Sequence, residues 1–244
     1  MIDRVGSNLG KHLPESITRK SRSLLRYLQR VPSSDFRYSV AARFNPNIHQ
    51  TSALTALDRY PEVFARAKGL LAAHPFPRIL SFGCSTGEEV LTLRQYFPDA
   101  TIVGAELNRS RLRKCRQRIS DPDTSFVKST ENNIKKSGPY HAIFAMAVLQ
   151  RTPHKVHKEG VQDLSGLYPY SAFNAQLKKF DANLYVGGLI VLQHTQYRFE
   201  DSEISQRYEV QGHAPPEKLL PSFDRHGQII SGQPYNEIIF RKMR

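Results

Sequence analysis

The residues with the clearest chemical potential lie in one glycine-containing loop. An apolar run over residues 78–82 predicts a buried strand, and residues 83–89 continue as Gly-Cys-Ser-Thr-Gly-Glu-Glu into a predicted helix. Glycine lets a backbone approach a ligand closely, and the N-terminus of a helix offers free N–H groups and a positive dipole end. The pattern predicts a nucleotide-like ligand at the carboxyl end of a strand in an open α/β sheet.

The loop lacks what a dinucleotide or a triphosphate would need. Ser85 stands where the dinucleotide fingerprint has its middle glycine, and Glu88 stands where a phosphate-binding loop has its lysine. A carboxylate there would repel a pyrophosphate but suits a cationic or zwitterionic ligand. Glu106 ends the next predicted strand, residues 101–105, and can accept hydrogen bonds from both hydroxyls of a ribose.

At this point the sequence resembles the class I S-adenosylmethionine-dependent methyltransferases over roughly residues 50–195. Its loop is similar to that of the chemotaxis-receptor methyltransferases. The resemblance implies S-adenosylmethionine as the cofactor, with Glu106 on the ribose. The implied cofactor-binding residues are Gly83, Cys84, Ser85, Gly87, Glu106, Leu107, Ser129, Thr130, Ala145 and Met146.

Three positions depart from the usual pattern of this class. Ser81, Thr130 and His141 stand where an acidic residue is common, and the loop does not continue with the Pro-Tyr-Ser stretch of the chemotaxis enzymes. The cofactor prediction survives these changes, whereas a receptor-glutamate substrate is not predicted. The departures keep open a non-catalytic binding protein on the same fold, because fold alone does not give function.

Methyl transfer from a sulfonium mainly requires that the acceptor be aligned. A base is needed only where the acceptor is protonated. His194, at the end of the fifth predicted strand, and His154, after the fourth, are the candidate catalytic residues because a histidine titrates near working pH. Neighbouring carboxylates have no metal-ligand spacing, so no metal site is predicted. The prediction is methylation of O or N on a small-molecule or glycan-type acceptor.

The elements that must position these residues alternate along the chain. Strands are predicted over residues 78–82, 101–105, 125–128, 141–149, 189–194 and 237–241, and helices over 51–73, 87–96, 109–119 and 172–184. This alternation predicts an α/β fold with a mostly parallel sheet. The family resemblance implies a Rossmann-like three-layer sandwich of seven strands, with an antiparallel last strand.

Charge and composition divide the chain into two predicted parts. Residues 1–49 hold nine Lys and Arg and are predicted to be a basic, helical N-terminal appendage; residues 50–244 are predicted to be the methyltransferase domain. The net charge of +13 favours anionic partners, including nucleic acid. RNA or protein methylation is therefore an alternative, although residues 109–119 carry no aromatic residue that could stack on bases.

Composition excludes several classes of protein. With 39% hydrophobic and 23% charged residues, the chain can bury a core. No window approaches the roughly 18 apolar residues of a membrane span, and no secretory signal is recognised. Two cysteines, Cys84 and Cys115, cannot form a disulfide framework. We therefore expect a cytoplasmic protein without an integral membrane segment.

Overall fold

The computed structural model describes residues 40–41, 45, 48–50, 54–215, 221–232 and 235–244. The chain divides into two units, Met1–Ala41 and Ala42–Arg244. The predicted helical appendage falls almost wholly outside the described residues, so its helical character stays a prediction. In the described part of the chain, no helix is both long and apolar enough to cross a membrane.

The second unit alternates strands and helices along the chain. Its strands are β1 Arg78–Phe82, β2 Thr101–Glu106, β3 Thr124–Lys128, β4 Tyr140–Met146, β5 Leu184–Gln193, β6 Tyr208–His213 and β7 Glu237–Lys242. The helices described are α1 Pro61–Leu70, α2 Glu88–Tyr96, α3 Arg109–Arg118, α4 Glu131–Ser137, α5 Pro153–Lys158 and α6 Tyr170–Ala182.

The seven strands form one sheet in the order β3-β2-β1-β4-β5-β7-β6. Neighbours from β3 to β5 pair in parallel, whereas β7 runs antiparallel to both β5 and β6. The prediction of a seven-stranded, mostly parallel sheet with an antiparallel last strand is confirmed. Because β1 to β5 run the same way, their carboxyl ends meet at one edge, which we call the carboxyl edge.

Helices cover both faces of the sheet. Alternate residues of a strand point to opposite faces, so Ile79 of β1 packs in a cluster with Phe64 of α1, whereas Leu80 packs in a cluster with Phe180 of α6. Helices α1 to α3 contribute to the first cluster and α4 to α6 to the second. The predicted three-layer sandwich is confirmed, and strands buried on both faces explain the apolar runs in the sequence.

Several boundaries differ from the prediction. The helix expected over residues 51–73 spans only Pro61–Leu70, because proline suits the first helical turn but not the interior. The strand expected over 141–149 ends at Met146, where the chain turns towards α5, an element that was not predicted. Strand β6 was also missed. It lies at the sheet edge, has no fully buried residue and contains a register shift beside Gly212.

Candidate active site

The loop between β1 and α2 has an unusual backbone that only certain residues accommodate. Gly83 and Gly87 have φ values of 76° and 99°, and the non-glycine Ser85 has a φ of 50°. A Cβ at Gly83 would lie 2.7 Å from Cγ2 of Val148, and one at Gly87 would lie 2.8 Å from Cδ1 of Ile119. Both glycines are therefore required by conformation and by space. The loop packs closely against the segment that follows β4.

Glu106 ends β2 directly beside this loop. Its Oε2 accepts a hydrogen bond from the Ser85 N–H (3.0 Å) and its Oε1 accepts one from the Asn108 N–H (2.6 Å). Burial raises the pKa of Glu106, although these N–H groups and the charge of Arg111 act in the opposite direction. Each carboxylate oxygen keeps a second lone pair. Glu106 therefore both fixes the loop and can accept a hydrogen bond from a ligand.

A second carboxylate, Glu89, lies in the first turn of α2. Its Oε1 accepts a hydrogen bond from the hydroxyl of Ser81, the β1 residue that replaces the acid common in this class (2.7 Å). Burial raises the pKa of Glu89 to about 8, despite that hydrogen bond. Sequence reasoning missed Glu89. The sequence signal that could have identified Glu89 was a second glutamate directly after the loop, in a chain where Ser81 replaces the acidic residue expected in β1.

Other residues with positive φ follow the ends of β4 and β5. Ala147 has a φ of 56°, Thr152 of 42° and His194 of 55°. Non-glycine residues in this region are strained by about 1–3 kcal/mol each and cluster at functional sites. Ser85 and these three residues therefore give the carboxyl edge several positions of strained backbone.

The two predicted catalytic histidines lie in different surroundings. His194 follows β5 and is half-buried, with its ring centre 5.6 Å from that of Tyr60, the residue that precedes α1. His154 is exposed on α5. Burial raises the pKa of Tyr60 to about 12, and the negative charge of Glu89 adds to the increase. Tyr60 is therefore a neighbour of both His194 and Glu89, and no local sequence pattern marks these contacts.

The ten predicted cofactor-binding residues all follow or end β1 to β4 at the carboxyl edge. Ala145 and Met146 end β4, and Leu107 follows Glu106. The Ser129 N–H donates to the Glu106 carbonyl (3.1 Å). Thr130 uses its hydroxyl to accept a hydrogen bond from the Asn133 N–H as the N-cap of α4. The position of all ten residues at the carboxyl edge agrees with the binding of one ligand there. Contact between these residues and the cofactor stays a prediction.

The two cysteines meet behind the loop. Cys115 of α3 donates from its Sγ to the Ser85 carbonyl (3.1 Å). A hydrogen bond with Cys115, together with burial, holds the pKa of the Cys84 thiol well above its usual range. A buried, protonated thiol is a poor nucleophile, so Cys84 fits the packing of the loop rather than catalysis.

A short segment before α1 is fixed against the edge. The Gln50 Nε2 donates to the Ala147 carbonyl (3.2 Å), and the guanidinium of the buried Arg151 donates to the carbonyls of Ile48 and His49. The Nδ1 of His49 is hydrogen-bonded to the Tyr168 hydroxyl at 2.7 Å. Burial lowers the pKa of His49 to about 4, so this histidine is neutral. Residues 48–50 therefore contribute to the edge of the sheet that carries the loop.

Comparison with known proteins agrees with this geometry. Residues 79–167 match the family described as a methyltransferase domain. A trans-aconitate 2-methyltransferase from Deinococcus radiodurans is 29% identical over 87 residues, which are 35% of this chain and 32% of that protein. A second, from Methylobacterium nodulans, is 31% identical over 91 residues, 36% of this chain and 34% of that protein. The chain thus matches about a third of the length of these curated relatives.

Among solved structures, one similar chain is an S-adenosylmethionine-bound amino pentose methyltransferase from Micromonospora echinaspora, involved in calicheamicin biosynthesis. It is 21% identical, with a TM-score of 0.41, over 67% of this chain and 58% of that chain.

Proposed function

Since the chain belongs to the class I S-adenosylmethionine-dependent methyltransferase superfamily, we propose that it transfers a methyl group from S-adenosylmethionine to an oxygen or nitrogen of a small-molecule or glycan-type acceptor. The observation that carries the proposal is the buried Glu106 carboxylate, held by backbone N–H groups of the loop and of the segment after β2. The narrower similarity of the loop to chemotaxis-receptor enzymes stays a prediction.

When bound, S-adenosylmethionine supplies an activated methyl group on a sulfonium, and the residues of the chain hold it. Glu106 would accept hydrogen bonds from the ribose hydroxyls. Glu89 would face the cationic ammonium of the methionine part, with Ser81 orienting its carboxylate. A positive charge beside a carboxyl favours its ionised form, so the ligand would offset the cost of burying Glu89.

The residues after β4 and β5 would hold the acceptor. His194, half-buried at the end of β5, would accept the proton of an acceptor hydroxyl or ammonium group. Tyr60 packs against it and would limit its orientation. His154 is the weaker candidate because it is exposed on α5. Ile48 and His49 belong to the second unit, and recruitment of a partner by the basic residues before them is part of the proposal.

The curated relatives are trans-aconitate 2-methyltransferases, and trans-aconitate carries carboxylates. The name of these relatives makes a carboxylate group one candidate for the methyl acceptor. A nucleic-acid acceptor stays a prediction from net charge: α3 exposes Arg109, Arg113 and Lys114 and has no acidic residue in its first turn.

The proposal is tested by incubating the protein with methyl-labelled S-adenosylmethionine and glycans, small hydroxylated metabolites, trans-aconitate or RNA, and measuring labelled product. We expect transfer to one small-molecule or glycan class. His194→Asn should lower kcat about 100-fold, in the range of general-base catalysis, whereas His226→Asn, at an exposed position, should not. Transfer to RNA alone, or cofactor binding without any transfer, would refute the proposal and favour the RNA or the non-catalytic alternative.

A further inference from the structure

Three buried side chains near the carboxyl ends of β4 and β5 each have an oxygen without a hydrogen-bonding partner in the part of the chain that the structure describes. They are Tyr60 through Oη, Gln150 through Oε1 and Gln193 through Oε1. Their exposed fractions are 5%, 4% and 2%. Buried polar groups in proteins are nearly always hydrogen-bonded, so these oxygens mark positions at which a ligand or an ordered water completes the site.

The three oxygens belong to residues linked by contacts around the strand ends. The Ala147 N–H donates to the Gln193 carbonyl (2.8 Å), and the Gln150 Nε2 donates to the Ala147 carbonyl (3.0 Å). His194, the residue after Gln193, packs against Tyr60. The unpartnered Oγ1 of Thr152 lies two residues beyond Gln150. The group therefore surrounds the end of the sheet where the acceptor is proposed to bind, beside the cofactor loop that Val148 contacts.

The chemistry of these oxygens selects a kind of ligand. The Nε2 of Gln150 already donates a hydrogen bond to the Ala147 carbonyl, and this contact fixes the orientation of the amide. The atom without a partner is therefore the amide oxygen, which is a hydrogen-bond acceptor. Gln193 likewise leaves its amide oxygen open. Hydroxyl and amino groups can donate to these oxygens, whereas a carboxylate has only lone pairs. The Arg59 guanidinium, 5.2 Å from the Tyr60 ring centre, is exposed and therefore does not belong to the buried group of oxygens.

On the basis of the proposed function, we infer that the methyl acceptor is a hydroxyl- or amine-bearing molecule rather than a polycarboxylate. Its O–H or N–H groups donate to the amide oxygens of Gln150 and Gln193. The acceptor class would thus differ from that of the curated relatives, whose name specifies trans-aconitate. A site built to accept hydrogen bonds discriminates strongly against a ligand that cannot donate them, because its buried groups are then left unpaired.

The test uses the protein saturated with S-adenosylhomocysteine, titrated by ligand-observed NMR with glucose, glucosamine and trans-aconitate at matched pH and ionic strength. We expect glucose or glucosamine to bind about tenfold more tightly than trans-aconitate or better. Gln193→Leu removes the open oxygen and should weaken that binding about tenfold, whereas Gln193→Glu keeps an acceptor and should preserve glucosamine binding. Gln150→Leu gives an independent reading, and Gln117→Leu, exposed on α3, is the control.

The affinity for S-adenosylhomocysteine should stay within about twofold in these variants, and the unfolding midpoint of each reports whether it folds. Tighter binding of trans-aconitate, or no binding of either sugar, overturns the inference. So does a folded Gln193→Leu variant that loses S-adenosylhomocysteine but not sugar, because the oxygen would then serve the cofactor. A wild-type protein that fails to bind S-adenosylhomocysteine contradicts the proposed function itself and, with it, this inference.

Discussion

Glu89 provides a prediction in which stability and cofactor binding change in opposite directions. Burial raises the pKa of this carboxyl to about 8 in the folded protein, against an ordinary value near 4.5. Between these two pH values the unfolded chain has lost a proton that the folded protein keeps, so folding stability falls as pH rises. At about 1.4 kcal/mol per pH unit, the loss is at most about 5 kcal/mol by pH 8.

Glu89→Gln removes the titrating group and keeps the size of the side chain. We expect the free energy of unfolding of Glu89→Gln, relative to wild type, to rise by about 4 kcal/mol between pH 5 and pH 8. Urea denaturation at four pH values in this range measures it, and effects of other groups cancel in the difference. The same substitution should weaken S-adenosylmethionine binding about tenfold or more, because the neutral amide can accept a hydrogen bond from an ammonium group but cannot offset its charge.

The adjacent Glu88 is the matched control. Against the effect of partial burial, hydrogen bonds from Thr86 and Arg118 lower its pKa, and its ion pair with Arg118 lies at the surface. Glu88→Gln should therefore change stability by less than about 1 kcal/mol, with the opposite pH trend. Parallel pH profiles for wild type and Glu89→Gln, or unchanged cofactor affinity, would refute the reasoning about Glu89.

Three further substitutions test other parts of the account. Burial lowers the pKa of His49 to about 4, so the contribution of this group to stability is full above pH 6.5 and falls below it by about 1.4 kcal/mol per pH unit; the free energy of unfolding of wild type relative to His49→Gln, measured by denaturation, should therefore fall by about 2–3 kcal/mol between pH 7 and pH 4.5. Gly83→Ala places a Cβ 2.7 Å from Val148 at a φ of 76° and should abolish cofactor binding in calorimetry, whereas unchanged affinity would contradict the packing of the loop. Asp181→Ala removes a buried carboxylate that pairs with Lys242 (3.2 Å), whose side chain is only 12% exposed; it should lower the free energy of unfolding by about 3 kcal/mol, measured in urea at pH 7.

The central strands and the cofactor loop were predictable because local sequence determines them. Strand β1 is buried on both faces, so its residues form a continuous apolar run, and the following loop needs glycines at Gly83 and Gly87 whatever the rest of the chain does. The family resemblance then placed Glu106 and the ends of β3 and β4 at the same edge. Strand β6 was missed because an exposed edge strand with a register shift beside Gly212 shows no regular alternation.

The rest of the candidate site depends on contacts between distant parts of the chain. Gln50 meets Ala147, and Tyr60 meets His194, across many intervening residues. No local pattern marks these pairs. Glu89 is intermediate: its position after the loop was visible, but its hydrogen bond with Ser81 required the three-dimensional fold. Sequence therefore predicted the strands and the loop between β1 and α2 better than the contacts between distant segments.

The most direct test of the central claim is calorimetric titration of S-adenosylmethionine and S-adenosylhomocysteine into wild type, Glu106→Ala and Glu62→Ala. Glu106 is buried beside the loop, whereas Glu62 is exposed on α1. We predict micromolar binding to wild type and to Glu62→Ala, and binding weakened by at least about 30-fold in Glu106→Ala, since hydrogen bonds to a charged group contribute about 1.5–3 kcal/mol. Equal affinity in all three proteins, or no binding to folded wild type, would contradict the claim that this edge holds the cofactor.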